Sequence, residues 1–425
     1  MSVEMEDEIN RFTARRRFLR GALLGGLGAA ATRDIQAGPA TEGASRTPLR
    51  GRNLNPQALE DLLVGCAYLG CGGGGSLAEG RAELAGAVQS GLRFSLLPVD
   101  ALADDEWVAS PYGIGSNAPR TEAEKRKYAA LVRPETDPVE ASFRLLSTHL
   151  RRSFVAAIPG ELGPWSTAAA LVTAARLGIP TLDADRVGRA TPEANQDSVS
   201  TAGLSTVPLA AVTGFGDALI LEKVAAGSRV EDILRAISVT SLGELGVTDA
   251  ALSGRDARRP GALVLGSLSL AERLGRANRM ALAQGQDPIR AVIAAGEGLH
   301  LFDGVVIEFP WRDEAGFLNG EVLIEGRGRD RGSRYRIHYL NENLTAWRDA
   351  AVDVMPPDLI SVVDSASGAA IANPDFTVGQ RVTVIGFKAP TIWRTPAGLS
   401  VFGPGHFGLD TPYRPIEDRG RVSAD

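Results

Sequence analysis

The sequence predicts an α/β N-terminal domain with a parallel sheet, followed by a mixed, β-rich C-terminal domain, and three observations carry that expectation. First, the apolar strand Phe154-Val155-Ala156-Ala157-Ile158 precedes an alanine-rich helix from about Ser166 to Leu177. Gly178 and Pro180 stop that helix, and Ile179 to Asp185 reads as a second strand. Such a unit makes its strands parallel and its crossover right-handed. Second, the run Gly70-Cys71-Gly72-Gly73-Gly74-Gly75-Ser76 sits between two helix-like segments. Third, beyond about Gly216 two amphipathic helical patterns, Val230 to Ala236 and Ser267 to Gln284, give way to short strands punctuated by Gly and Pro.

Taken in order, the chain opens with Arg15-Arg16-Arg17-Phe18-Leu19-Arg20, which fits the twin-arginine pattern R-R-x-F-L-K. A short apolar run, Gly21 to Ala31, and small residues around Ala37 and Ala40 follow. Residues 1–40 therefore read as a signal peptide, giving a periplasmic or exported protein. The run is shorter than the roughly 20 residues a membrane-spanning helix needs, so no stable span is expected. Residues 41–54 read as a linker, 55–218 as the α/β domain and 219–420 as the C-terminal domain. With 425 residues and a net charge of −6, the chain has room for ample cores. It shows no basic stripe with interleaved aromatics, which argues against a nucleic-acid partner. The only cysteines, Cys66 and Cys71, form no disulfide framework and no zinc pattern.

Glycine costs conformational entropy and is kept where φ is positive or something comes close to the backbone. Ser76 and Glu79 make a capping box, so Gly72, Gly73, Gly74, Gly75 and Ser76 are expected to present amides at a helix N-terminus, where an anion or a carbonyl oxygen is attracted. No Lys-Ser or Lys-Thr follows the glycines, and a helical pattern precedes them, which argues against a nucleotide P-loop. Cys71, in the same loop, is a candidate nucleophile if the helix end lowers its pKa.

Further along, Leu92 to Leu97 reads as a strand, Pro111 to Pro119 as a polar loop and Val139 to Leu150 as a helix. Glu161 follows the buried 154–158 strand between glycines and prolines, a position that places a carboxylate in a cleft. Asp183 and Asp185 share one face of an extended segment. Their repulsion raises one pKa and suits the pair to proton transfer, unless Arg186, Arg189 or a metal neutralises it. Thr191 as N-cap and Pro192 at the first helical position predict a helix with Glu193 in its first turn, where that carboxylate either serves the site or complements the helix dipole. Asn341-Glu342-Asn343-Leu344 either lines a site or closes a turn. The four histidines are scattered; His406, in a Gly/Pro-rich loop, is the best candidate ligand.

Several blocks in order resemble the S-methyl thiohydantoin desulfurase family, a group related to hydantoinase- and oxoprolinase-associated proteins. They are Leu69 to Gly75, Glu161-Leu162-Gly163, Gly178 to Asp185 with Gly188-Arg189-Ala190 and Pro192-Glu193, Asn341 to Leu344, Pro357 to Ile360, and Gly403-Pro404 with Phe407-Gly408. The resemblance spans about residues 55–418. It implies a hydrolase that acts on a thiohydantoin- or hydantoin-like ring and releases methanethiol. Catalysis would then fall to Glu161, Asp183 and Asp185, with water or Cys71 as the nucleophile. The glycines 72–75, Ser76, Arg189, Glu193, Asn341 and Asn343 would bind the small-molecule substrate. The cofactor is unknown, with a divalent metal left open, and a homo-oligomer is expected although the chain does not derive it. The competing expectation is a non-catalytic exported protein that binds a small molecule in the same cleft. A hydantoinase-type nucleotide-dependent enzyme is disfavoured because no Lys follows the glycines.

Overall fold

Proline at the first helical position, preceded by a capping side chain, opens four helices of this protein: Pro56–Leu69, Pro138–Leu150, Pro288–Ala295 and Pro396–Phe402, capped by Asn55, Asp137, Asp287 and Thr395. The computed structural model describes residues 51–115, 122–314 and 316–419. The segments expected to form the signal peptide and most of the linker, and Ser116 to Pro119, lie outside the described residues.

The first sheet has eight strands in the order Arg52–Leu54, Phe94–Leu97, Thr181–Leu182, Phe154–Ala157, Trp107–Ile114, Leu245–Ser253, Leu209–Thr213 and Ala218–Leu221. The expected βαβ unit is present: Phe154–Ala157 and Thr181–Leu182 pair in parallel through Ala157 and Thr181, with helix Pro164–Arg176 between them. The sheet as a whole is mixed, however, and not parallel. Trp107–Ile114 runs parallel to Phe154–Ala157 on one side and antiparallel to Leu245–Ser253 on the other. Pro111 made that segment read as loop. It lies past Ala109, the last residue paired with the parallel neighbour, so its missing N–H faces no strand there. Leu245–Ser253 comes from beyond residue 219 and still joins this sheet.

The second strand of the unit is shorter than its apolar pattern suggests. It breaks at Asp183, and Ala184–Asp185 pairs instead with Val264–Leu265 in a two-stranded ribbon. Thr191 does not open a helix either. Its hydroxyl bonds the Gln196 side chain, its N–H goes to Glu161, and the chain stays irregular until the short helix Ser198–Thr201, capped by Asp197.

The second sheet forms an antiparallel β-rich half-barrel, ordered Ala351–Val354, Glu342–Arg348, Arg334–Leu340, Phe317–Gly326, Leu299–Glu308, Arg381–Phe387 and Leu359–Asp364, with Trp311–Glu314 added on Phe317–Gly326. Alternate side chains such as Val322, Ile324, Tyr335, Ile337, Val382 and Val384 fill its core. Helices Pro56–Leu69 and Ser267–Ala283 pack together at their glycines. A Cβ on Gly65 would lie 1.7 Å from the Ala271 carbonyl oxygen, and one on Gly275 would lie 1.9 Å from that of Asp61. Leu62, Leu63, Leu268 and Leu274 complete the contact.

A candidate active site

Helix Pro56–Leu69 ends at Gly70, and the capping box starts helix Leu77–Gln89: Glu79 N–H donates to Ser76 Oγ at 3.2 Å, and Ser76 N–H donates to Glu79 Oε2 at 2.7 Å. Between them the backbone reverses at Cys71, Gly72, Gly74 and Gly75, with φ of 52°, 86°, 68° and 81°. What approaches each glycine is another part of the chain. A Cβ would lie 2.5 Å from the Asn373 side chain at Gly72, 1.8 Å from Glu342 Oε1 at Gly73, 2.5 Å from Gly163 Cα at Gly74 and 2.3 Å from Trp165 Cβ at Gly75. The loop carbonyls are pinned as well. Asn343 N–H donates to Cys71 O at 2.7 Å, Asn373 N–H to Gly72 O at 2.9 Å, and Trp165 and Ser166 N–H to Gly74 O at 3.0 and 3.1 Å. The glycines thus let the loop nest against the elements that carry Glu161 and Glu342.

Gly74 and Gly75 reach the wall of a cavity of about 690 Å³ that also receives Glu161, Trp165, Glu193 and Glu342. Their N–H groups have no backbone acceptor among the described residues. Gly72, Gly73 and Ser76 do not line it; with Gly75 they face a separate pocket of about 290 Å³.

Glu161 stands at the carboxyl end of Phe154–Ala157, where Oε2 accepts the Thr191 N–H at 2.9 Å. Burial pushes its carboxyl up to about 7, helped by the charge of Asp185 and opposed by the Thr191 amide, Ser166 and Arg189. Glu342 opens the strand Glu342–Arg348 just after Asn341, whose φ of 59° turns the chain. Burial drives its carboxyl well above the usual range; the charge of Glu161 adds to this, and Arg189 and Arg235 oppose it. Glu342 is only 3% exposed, and its Oε2 has no hydrogen-bond partner among the described residues. Two such carboxyls sharing one cavity are poorly placed to ionise together.

The second carboxyl of this site is thus Glu342 and not the aspartate pair. Asp183 caps helix Ser267–Ala283, accepting from Ser269 N at 2.9 Å and Ser269 Oγ at 2.6 Å. Asp185 is fully buried, and its Oδ2 accepts from Val187 N at 2.9 Å and Gly188 N at 2.7 Å. Burial pushes its carboxyl up to about 6 against the pull of those amides and Ser267. The break at Asp183 leaves both side chains answering backbone amides, away from the cavity wall.

Cys71 is also elsewhere. It is fully buried in the apolar core, its Sγ bonds the Leu69 carbonyl at 3.4 Å, and burial raises its thiol, the opposite of the expected activation. Arg189 lies behind the wall and donates to the carbonyls of Ala190, Pro357, Asp358 and Asn343, so it offers the cavity no fork. Glu193 does reach the wall, paired at 3.0 Å with His406 Nε2, whose pKa it raises. Asn341 lines the cavity, while its Oδ1 accepts the Leu318 N–H at 2.9 Å. Asn343 is buried and ties the glycine loop to Ile360 O, 3.1 Å from its Nδ2. Among the described residues no three His, Cys, Asp or Glu side chains gather as a metal site.

Sequence reasoning missed a second wall. Arg186 is buried between Asp197 and Asp249, and the Tyr112 hydroxyl donates to Asp249 Oδ2 at 3.0 Å. Tyr112, Arg186 and Asp197 all line the cavity. Tyr112 was hidden in the segment read as loop, and Asp249 in a strand that reads as apolar only once its partners are known.

Residues 57–223 match the family described as S-Me-THD-like, N-terminal domain, and residues 225–416 match its C-terminal domain. A crystal structure of a protein from Chromobacterium violaceum resembles this fold with a TM-score of 0.69 at 24% identity, covering 86% of this chain and 99% of that one. No curated protein matches the chain.

Proposed function

This chain belongs to the S-Me-THD-like family, and on that footing we propose that it is a hydrolase that releases methanethiol from an S-methyl thiohydantoin or a close cyclic relative. The observation that carries the reading is the meeting of Glu161 and Glu342 in one cavity beside the Gly74 and Gly75 amides. Hydrolysis at the ring carbon that bears sulfur needs a base, an acid and a means of polarising the ring, and this arrangement supplies all three.

In the proposed sequence Glu161, ionised, takes a proton from water as the oxygen bonds to the ring carbon. The C=N electron pair moves to the ring nitrogen, which takes the proton held by Glu342. The new hydroxyl then passes its proton to Glu342 as the C–S bond breaks, and the departing methanethiolate takes the proton from Glu161. Water has been added, methanethiol has left, a ring C=O remains, and both carboxyls are back in their starting states. The glycine amides, at the helix N-terminal loop, would hold a ring carbonyl oxygen.

The test is direct. Purified protein incubated with an S-methyl thiohydantoin should release thiol in stoichiometric amount with the hydantoin. Absence of thiol under every metal condition tried would overturn the substrate assignment.

A further inference from the structure

Arg189 is fully buried, and a guanidinium at that depth keeps its charge. An isolated buried cation is costly. Among the described residues no carboxylate forms an ion pair with it. Nε donates to Ala190 O at 2.9 Å, Nη1 to Pro357 O at 3.3 Å and Asp358 O at 3.0 Å, and Nη2 to Asn343 O at 2.8 Å, while the Phe402 ring lies 5.2 Å from the guanidinium carbon. Neutral carbonyls satisfy N–H groups but leave a whole positive charge in place. The Asp358 carboxylate is committed elsewhere, to Arg394, Tyr413 and backbone amides.

Two connections link Arg189 to the residues that follow the paired carboxyls. Its carbonyl accepts the N–H of Leu162, next to Glu161, at 3.2 Å, and its side chain holds the carbonyl of Asn343, next to Glu342. Among the charged groups acting on those carboxyls are Arg189 on both, Asp185 on Glu161, and Arg235 and Glu161 on Glu342. Cys71, on which Arg189 also acts, is a neutral thiol at ordinary pH because burial raises it. With the opposite charges of Asp185 and Arg235 offsetting one another, the buried group of Arg189, Glu161 and Glu342 counts +1 with two protons and −1 with none. One proton makes it neutral, and a low-dielectric interior favours that state.

We propose that Arg189 is a positioning residue that holds Glu342 beside Glu161 and, as the buried positive charge without its own ion pair, keeps one of the two carboxyls ionised at neutral pH. Its use in turnover rests on the hydrolase reading, but the ionisation can be read without turnover.

The experiment is an infrared titration of the protonated-carboxyl band in the intact protein, with Glu161→Gln and Glu342→Gln used to assign it. Arg189→Gln should move the first ionisation of the pair upward by about one to two pH units, the range for loss of a close opposite charge. Arg189→Lys, which keeps the charge and loses the fork, should titrate close to the parent protein. An Arg189→Gln titration that coincides with the parent would overturn the proposal. A second measurement does not depend on Arg189 variants folding. In Glu161→Gln, the demand for a countercharge falls on Glu342 alone, which should then be ionised at pH 7; a Glu342 still protonated at pH 9 would overturn the proposal as well. Failure of the parent protein to release thiol would sink the hydrolase reading and leave these titrations unchanged.

Discussion

Glu161 and Glu342 are held in surroundings that make ionisation expensive, and that cost should be visible in stability as well as in rate. A carboxyl whose folded pKa is raised binds more protons in the folded state, so stability is fully present below the unfolded pKa and is lost as pH rises through the folded one. For Glu161 the window runs from about 4.5 to about 7. The melting temperature of the parent protein should therefore fall as pH rises from 4.5 to 8, as measured by thermal unfolding across that window. Asp185 and Asp249, each raised to about 6, add to the same fall. The rate should fall as pH drops through about 7, because the base takes up its proton. Glu161 was legible in the sequence because it ends an apolar strand at a Gly/Pro turn. Glu342 was legible only as one of two alternatives, a site-lining carboxylate or part of a turn, since its partner is set by a reversal at Asn341 that brings a distant sheet to the glycine loop. Asp183 and Asp185 misled for a physical reason: alternation predicts which way side chains point in an unbroken strand, and this strand breaks between them.

The glycine loop is the element on which the site depends, and its members should respond differently to the same change. A Cβ at Gly73 meets the end of the Glu342 side chain, which can move aside, so Gly73→Ala should leave the fold largely intact and depress activity. Gly74→Ala meets backbone at Gly163 from a φ of 68°, where nothing yields easily, and should cost about 2 kcal/mol in denaturant unfolding. Ser76→Ala removes one half of the capping box and should cost about 1 kcal/mol, with activity reduced only as far as the loop loosens. The capping box itself was legible from four residues. That the loop serves mainly to seat other parts of the chain was not, because close packing between glycines 74 and 163 depends on a helix whose position only the sheet fixes.

At the scale of the whole molecule, the chain builds a mixed sheet and an antiparallel half-barrel, and the cavity takes residues from both, Glu161 from the first and Glu342 from the second. Local periodicity recovered the βαβ unit and the β-rich character of the C-terminal part. It could not assign Leu245–Ser253 to the first sheet, since that pairing joins segments far apart in sequence. The twin-arginine segment carries a separate proposal: replacing Arg15 and Arg16 by Lys in a reporter fusion should block export, and export undiminished by the change would contradict it. The most direct test of the account is thiol release from an S-methyl thiohydantoin by the parent, Glu161→Gln and Glu342→Gln proteins side by side. The account predicts release by the parent and a loss of about 10²-fold or more in each variant. A parent-like rate in either folded variant would contradict it.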